Sequence, residues 1–323
     1  MPSAEQILQS VRKSPRIPAP SHVVSRVLAL SRDPNCNFQM IADAIQRDAA
    51  LTGEVLRQAN SALYAGAKPT SSVKEACVRL GVKRVRAVAI NDHVISGLGK
   101  ACPKGFEPVR YWQGALATSV AARDLASKLV PELAEDAGTA GLLVDVGIGL
   151  LAYGAREAYA PALKKIGNVL TSDIEALERQ TLGLTHSEVG FAVLSDWKLD
   201  AHICEAVRYH HACEFPQPAS TERFARIIAT AVTCSRIALC GSDMDSVGQL
   251  FEHAGALTSN PDELVAHLVD RLVAHIQMAA DELRIELGET GCLARNIGEL
   301  AENLPDFDLK MSFRPMERHP CLD

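Results

Sequence analysis

The sequence predicts an all-α, multi-helical protein. Apolar residues recur at the 3.6-residue helical period along most of the chain, strict apolar–polar alternation is scarce, and start and stop signals cut the pattern into helix-length pieces. With 47% hydrophobic residues over 323 positions there is ample material for a packed core, and the length fits roughly two domains of ordinary size.

Along the chain, Pro18 and Pro20 precede a run in which Val23, Val24, Val27, Leu28 and Leu30 share a face, and Asp33-Pro34 stops it. Asn37 is placed to cap a short helix burying Phe38, Ile41 and Ile45; Asp48 is placed to cap the next, which buries Leu51, Val55, Leu56 and Ala59. Ser72-Val-Lys-Glu75 reads as a capping box opening a helix that ends at Gly81. An Ala-rich helix follows over 112–129, then a short acidic turn and a Gly-rich apolar helix around Asp145. Thr185-His-Ser-Glu188 is a second capping box, opening a helix to about 194, and the next helix covers about 200–211. Phe215-Pro-Gln-Pro218 marks a boundary, beyond which helices are predicted near 224–239 and 261–287. The chain thus divides into a segment 1–13, a helical part 14–110, a helical bundle 111–215, a C-terminal helical extension 216–300 and a tail 301–323.

In the last long helix Val265, Val269, Leu272, Ile276, Ala279 and Leu283 form a coiled-coil-like seam. It offers either a homodimer surface over 262–287 or a face that docks on the protein's own core.

Charge is unevenly spread. The net charge of −6 excludes a dedicated nucleic-acid binder on average, but residues 1–110 carry +8 and residues 111–323 carry −14. Nine cysteines scattered singly, without a CxxC pair, fit reduced thiols and a cytoplasmic location. The most apolar stretch, 137–155, has Asp145 at its middle, which would cost about 2.5–3.5 kcal/mol in a bilayer. It reads as a buried core helix with no membrane role.

Three constellations could carry chemistry. His202, Cys204, His210, His211 and Cys213 lie within a dozen residues and are zinc-type ligands. On one helix, however, positions 202 and 210 are about 12 Å apart along the axis, so any ion needs ligands from elsewhere. Asp145 on an apolar helix must be paired, protonated or bound to something. With His186 and the His210-His211 pair, it resembles the ligand set of a metal-dependent phosphohydrolase of the HD superfamily. The third is the basic segment Lys83-Arg84-Val-Arg86, with Lys68, Lys74 and Arg79 nearby. It reads as a solvated face or as a surface for a nucleotide, an RNA or an acidic partner, the chain's own acidic half included. No aromatic residues interleave with it, which argues against nucleic acid.

Residues 14–215 resemble the HDOD domain, a relative of the HD and HD-GYP phosphohydrolases found in bacterial signalling proteins. The resemblance is carried by Ile17-Pro-Ala-Pro20, Asp48 with Leu51, Leu56-Arg-Gln-Ala-Asn-Ser61 with Tyr64, Ser71-Ser-Val-Lys-Glu-Ala76 and Leu80-Gly81. It continues through Tyr111-Trp112, Gly141-Leu-Leu-Val-Asp-Val-Gly147, His186-Ser-Glu-Val-Gly190 and Tyr209-His-His211. It implies an HDOD-like fold: an N-terminal helical subdomain followed by a degenerate HD-like bundle. Asp48, Asn60 and Ser61 are motif residues. Where active HD enzymes have their first metal histidine this chain has Gly114, beside Gln113; where they have the His-Asp pair it has Val144-Asp145; their final aspartate falls at Ser235. The resemblance therefore implies no catalytic residues, no metal and no cofactor, with Asp145, His186, His210 and His211 as remnants of a site. It implies a signalling module that binds protein partners, and leaves open a nucleotide ligand, such as a cyclic dinucleotide, or residual phosphohydrolase activity.

Overall fold

The computed structural model describes residues 2–14, 19–61, 64, 66, 68–98, 106–166, 174–211, 219–288 and 290–302, and every regular element among them is a helix. Ile17, Pro18, Cys213 and the Phe215-to-Pro218 boundary, all named above, lie outside the described residues, as does the tail from 303.

The first segment is itself helical. Ser3 and Gln6 form a reciprocal capping box that opens α1 (Ala4–Arg12), whose Ile7 and Val11 are buried. In the N-terminal part, α2 (His22–Leu30), α3 (Phe38–Ile45) and α4 (Ala49–Ala59) start at Ser21, Asn37 and Asp48, each of whose side chains accepts a backbone N–H of the first turn. The Ser72 box is only half made. Ser72 Oγ accepts the Glu75 N–H at 3.3 Å, but the Glu75 carboxylate bonds Thr70 and Arg79, and the Thr70 hydroxyl accepts the Ser72 N–H. In α5 (Val73–Leu98), Gly81 takes φ 76°, a left-handed value that suits a residue without Cβ. The helix breaks there as expected, and restarts at once.

The bundle is built on α6 (Pro108–Leu129). The apolar stretch that reads as one helix around Asp145 is two, α7 (Ala134–Leu143) and α8 (Val146–Gly154), broken at Val144-Asp145. Asp145 stands at the N-cap of α8 without capping it, because its carboxylate is turned to the histidines described below. The stretch Pro131–Gly154 is long and apolar enough to cross a membrane by composition, and 94% of an apolar 18-residue segment within it is buried inside the protein. Then follow α9 (Arg156–Ile166), α10 (Ile174–Leu182), α11 (His186–Asp196) and α12 (Ala201–Tyr209).

The α11–α12 turn contains Lys198 at φ 61°, with the Leu199 N–H returning to the Leu194 carbonyl at 3.1 Å. A left-handed non-glycine residue costs roughly 1–2 kcal/mol. Lys198→Gly is accordingly expected to stabilise the protein by up to about 1 kcal/mol in urea denaturation; a loss of stability would show that the lysine side chain matters more than its backbone.

The C-terminal extension comprises α13 (Ala219–Cys240), α14 (Met244–Gly255), α15 (Pro261–Leu283) and α16 (Gly291–Glu302). α13 and α15 both pack on α6. Val265, Val269, Leu272 and Ile276 of the α15 seam are buried within the chain, where α15 meets α6, α14 and α16. These four seam positions dock on the protein's own core. The extension is part of the bundle.

Candidate functional site

Asp145, His186, His210 and His211 come together where the N-termini of α8 and α11 meet the C-terminus of α12. His186 is the first residue of α11, fixed by a capping box with both halves present: Thr185 Oγ1 accepts the Glu188 N–H and the Glu188 carboxylate accepts the Thr185 N–H. His210 is the C-cap of α12. The close approach depends on Gly147, where a Cβ would lie 1.9 Å from the His186 carbonyl oxygen. As a result Asp145 Oδ1 is 3.5 Å from His186 Nε2 and 3.6 Å from His210 Nε2, and the two Nε2 atoms are 3.3 Å apart. One ligand atom from each of the four residues lies within 4.8 Å of all the others.

The outer nitrogens are also fixed. Glu178, fully buried, accepts the His186 backbone N–H at 2.7 Å and His186 Nδ1–H at 2.8 Å through Oε2, and the Tyr159 hydroxyl at 2.5 Å through Oε1. His210 Nδ1–H donates to the Val207 carbonyl at 2.7 Å. These partners hold a proton on each Nδ1 and turn both Nε2 atoms toward Asp145. His211 Nε2 is buried with no hydrogen-bond partner. Burial would raise Asp145, but hydrogen bonds from His186 and His210, reinforced by their charges, hold it well below the usual carboxylate range. Burial disfavours the His186 cation, yet the Glu178 charge and the bonds to Asp145 and Glu178 push it up to about 10. Burial, followed by the neighbouring imidazoles, holds His211 well below its ordinary value.

The positions that differ from active HD enzymes are closed. Ser235 Oγ on α13 donates to the Gly114 carbonyl on α6 at 3.1 Å, Gln113 Nε2 donates to the Leu287 carbonyl, and Val144 is fully buried in the core. Among the described residues the cluster offers four potential ligand atoms, fewer than a two-ion HD centre requires. Beside the cluster is a cleft lined by Thr118, Asp145, His211, Val232, Ser235 and Arg236 among others. His202 takes no part; its Nε2 is 3.2 Å from Asp136. Nor does Cys204, whose thiol turns to the Leu199 carbonyl.

The basic segment is not an open anion surface. Arg84, 4% exposed, pairs with Glu135 at 3.1 Å and with Glu282; Arg86 pairs with Asp136 and Asp200; Lys83 donates to the Glu132 carbonyl. The acidic groups it meets belong to the chain's own second half. The motif residues brace local structure. Asp48 caps α4, Asn60 exchanges two hydrogen bonds with the Thr70 backbone, and Ser61 bonds the Gln58 carbonyl.

Glu178 is the site residue that motif reasoning misses. Its signal is weak but legible: with Ile174 and Leu182 it occupies the buried face of α10, a carboxylate in an apolar stripe at four-residue spacing.

Comparison with known proteins accords with this architecture. An HDOD domain protein of unknown function from Geobacter sulfurreducens superimposes with a TM-score of 0.64 at 24% identity, over 87% of this chain and 99% of that one. A candidate signal transduction protein from Marinobacter aquaeolei VT8 gives 0.62 at 21% identity, over 88% and 62%. A candidate phosphohydrolase from Shewanella amazonensis SB2B gives 0.56 at 20% identity, over 91% and 93%. At these identities the likeness is one of fold. A Treponema pallidum (strain Nichols) protein named only as uncharacterized is 23% identical over 232 residues, 70% of this chain and 42% of its own length. The family model for the HDOD domain matches residues 17–213, well over half of the sequence, and the chain belongs to the HDOD family.

Proposed function

We propose that the protein is a non-enzymatic signal-transduction module that works by binding other proteins. The observation that supports this reading is the Ser235–Gly114 hydrogen bond. It occupies the place where the first and last ligands of a two-ion centre would stand, and without a second ion the HD means of generating and placing a hydroxide nucleophile is absent. The signalling role draws on the family and on a fold neighbour named for signal transduction.

The test is incubation of the full chain, loaded with Mn²⁺ or Fe²⁺, with cyclic di-GMP and a panel of nucleotides, followed by chromatography. No hydrolysis is expected, and metal analysis is expected to give no more than one ion per chain. Hydrolysis that disappears in Asp145→Ala would overturn the proposal in favour of a phosphohydrolase.

A further inference from the structure

We propose that the cleft beside the histidine–aspartate cluster receives the carboxylate of an aspartate or glutamate side chain from a partner protein, held by Arg236 and His211. The inference rests on the protein-binding reading above and deepens it by naming the surface and the chemical group that it recognises.

Two unused polar groups carry the proposal. Arg236, on α13, donates through Nη2 to Gln249 Oε1 at 2.7 Å, but its Nε is buried without a partner and the guanidinium makes no ion pair among the described residues. His211 Nε2 is likewise buried and unpartnered. Both residues line the same cleft, and the Arg236 charge is close enough to help disfavour the His211 cation. Buried polar groups left unpaired are costly, so two of them at one opening favour a ligand that accepts from both. Charge makes that ligand an anion: Arg236 has only the neutral Gln249 amide as partner, whereas Asp145, also at the cleft, has Oδ1 between His186 and His210 at 3.5 and 3.6 Å. A carboxylate can accept one N–H on each oxygen, from Arg236 Nε and from His211 in the tautomer with its proton on Nε2. Size and charge then select among anions. The cleft has a volume of about 30 Å³, which at about 10–15 Å³ per water is room for two water-sized groups, the oxygens of one carboxylate. A phosphate brings four oxygens and a nucleotide far more. The Asp145 carboxylate in the wall also opposes a dianion more than a monoanion. Ile174 and Val232 complete the wall with apolar surface that suits the methylene stem of an arriving side chain.

The full chain is titrated, at matched ionic strength, with the end-blocked tripeptide Leu-Glu-Leu, with Leu-Gln-Leu and with inorganic phosphate, and the imidazole signals are followed by NMR. The His211 signal is assigned by its loss in His211→Ala. The glutamate peptide should shift it saturably, with a Kd on the order of 1 mM for two such hydrogen bonds, and the other two probes should leave it in place at the same concentrations. Arg236→Gln removes the charge and the Nε–H and should weaken the glutamate peptide by about 10- to 100-fold. Arg236→Lys keeps the charge without the planar fork and should weaken it by about 10-fold, which holds the test open should the glutamine variant fold poorly. An equal response to the glutamine peptide, a phosphate response stronger than that of the glutamate peptide, no saturable shift, or unchanged binding by a folded Arg236 variant overturns the inference. A chain that ignores the glutamate peptide and hydrolyses no nucleotide overturns it alone; nucleotide hydrolysis overturns the non-enzymatic reading whatever the peptide does.

Discussion

Gly147→Ala is expected to cost roughly 3 kcal/mol of stability or more, read as a fall in the urea midpoint. Side-chain overpacking typically costs about 1–3 kcal/mol because flexible neighbours can yield. Here the opposing atom is the His186 carbonyl oxygen, 1.9 Å from the added Cβ, and relief requires the N-termini of α8 and α11 to move apart. That movement also separates Asp145 from His186, so the variant should lose the contacts of the histidine–aspartate cluster together with stability. Gly53→Ala is the control. Gly53 lies inside α4 with nothing within 4 Å of an added Cβ, and the substitution should be neutral or stabilise by up to about 1 kcal/mol. Equal midpoints for wild type and Gly147→Ala would show that the two helices do not pack as described.

The second large effect is expected at Arg86. Its guanidinium pairs with Asp136, whose side chain is 5% exposed, and with Asp200. Removing one partner of a buried ion pair costs about 3–5 kcal/mol because the other charge is left desolvated. Asp136 keeps His202 and Asp200 keeps Arg32 at 2.8 Å, so Arg86→Ala should fall near the lower end of that range. The penalty should also depend on pH. Burial acts to raise the Asp136 carboxyl, but the His202 hydrogen bond and the Arg86 charge outweigh it and hold the group below its ordinary value. A carboxylate depressed in the folded state contributes stability above its unfolded value of about 3.9, and that contribution fades as pH falls through the folded value. The gap between wild type and Arg86→Ala should therefore be widest near neutrality and narrow in acid. Adding Asp136→Asn to Arg86→Ala should recover part of the loss. An identical gap at pH 3 and pH 7 would show that Arg86 acts through packing and not through charge.

Much of this molecule was legible where local chemistry dictates local structure. Asn37, Asp48 and Thr185 cap the helices expected of them, because an N-cap depends on a few neighbouring atoms. The Ser72 box failed for a reason outside that window: Thr70 and Arg79 both compete for Glu75. Apolar periodicity runs α7 and α8 together as one helix because it is blind to a carboxylate withdrawn to partners on other helices. The four cluster residues could be named from spacing and family resemblance. Their relative placement could not, since it depends on Gly147 allowing contact with a carbonyl 39 positions away. For the basic segment the sequence leaves open a solvated face, an outside anion and the chain's own acidic half, because it does not show which way an arginine turns. Arg84 and Arg86 turn inward, and the charge imbalance between the two parts of the chain becomes a set of contacts that join them.

The Ser235–Gly114 bond also bears on descent. If an ancestor carried a histidine at 114 and an aspartate at 235, return to it would need both changes together. Histidine at 114 alone would bring an imidazole into the tight contact between α6 and α13, and aspartate at 235 alone would set a carboxylate against the carbonyl that Ser235 now satisfies. Each single reversion would pass through a less stable protein, so the present pair would act as an evolutionary ratchet. Engineered Gly114→His, Ser235→Asp and the double replacement should show it, with each single variant less stable than the protein carrying both.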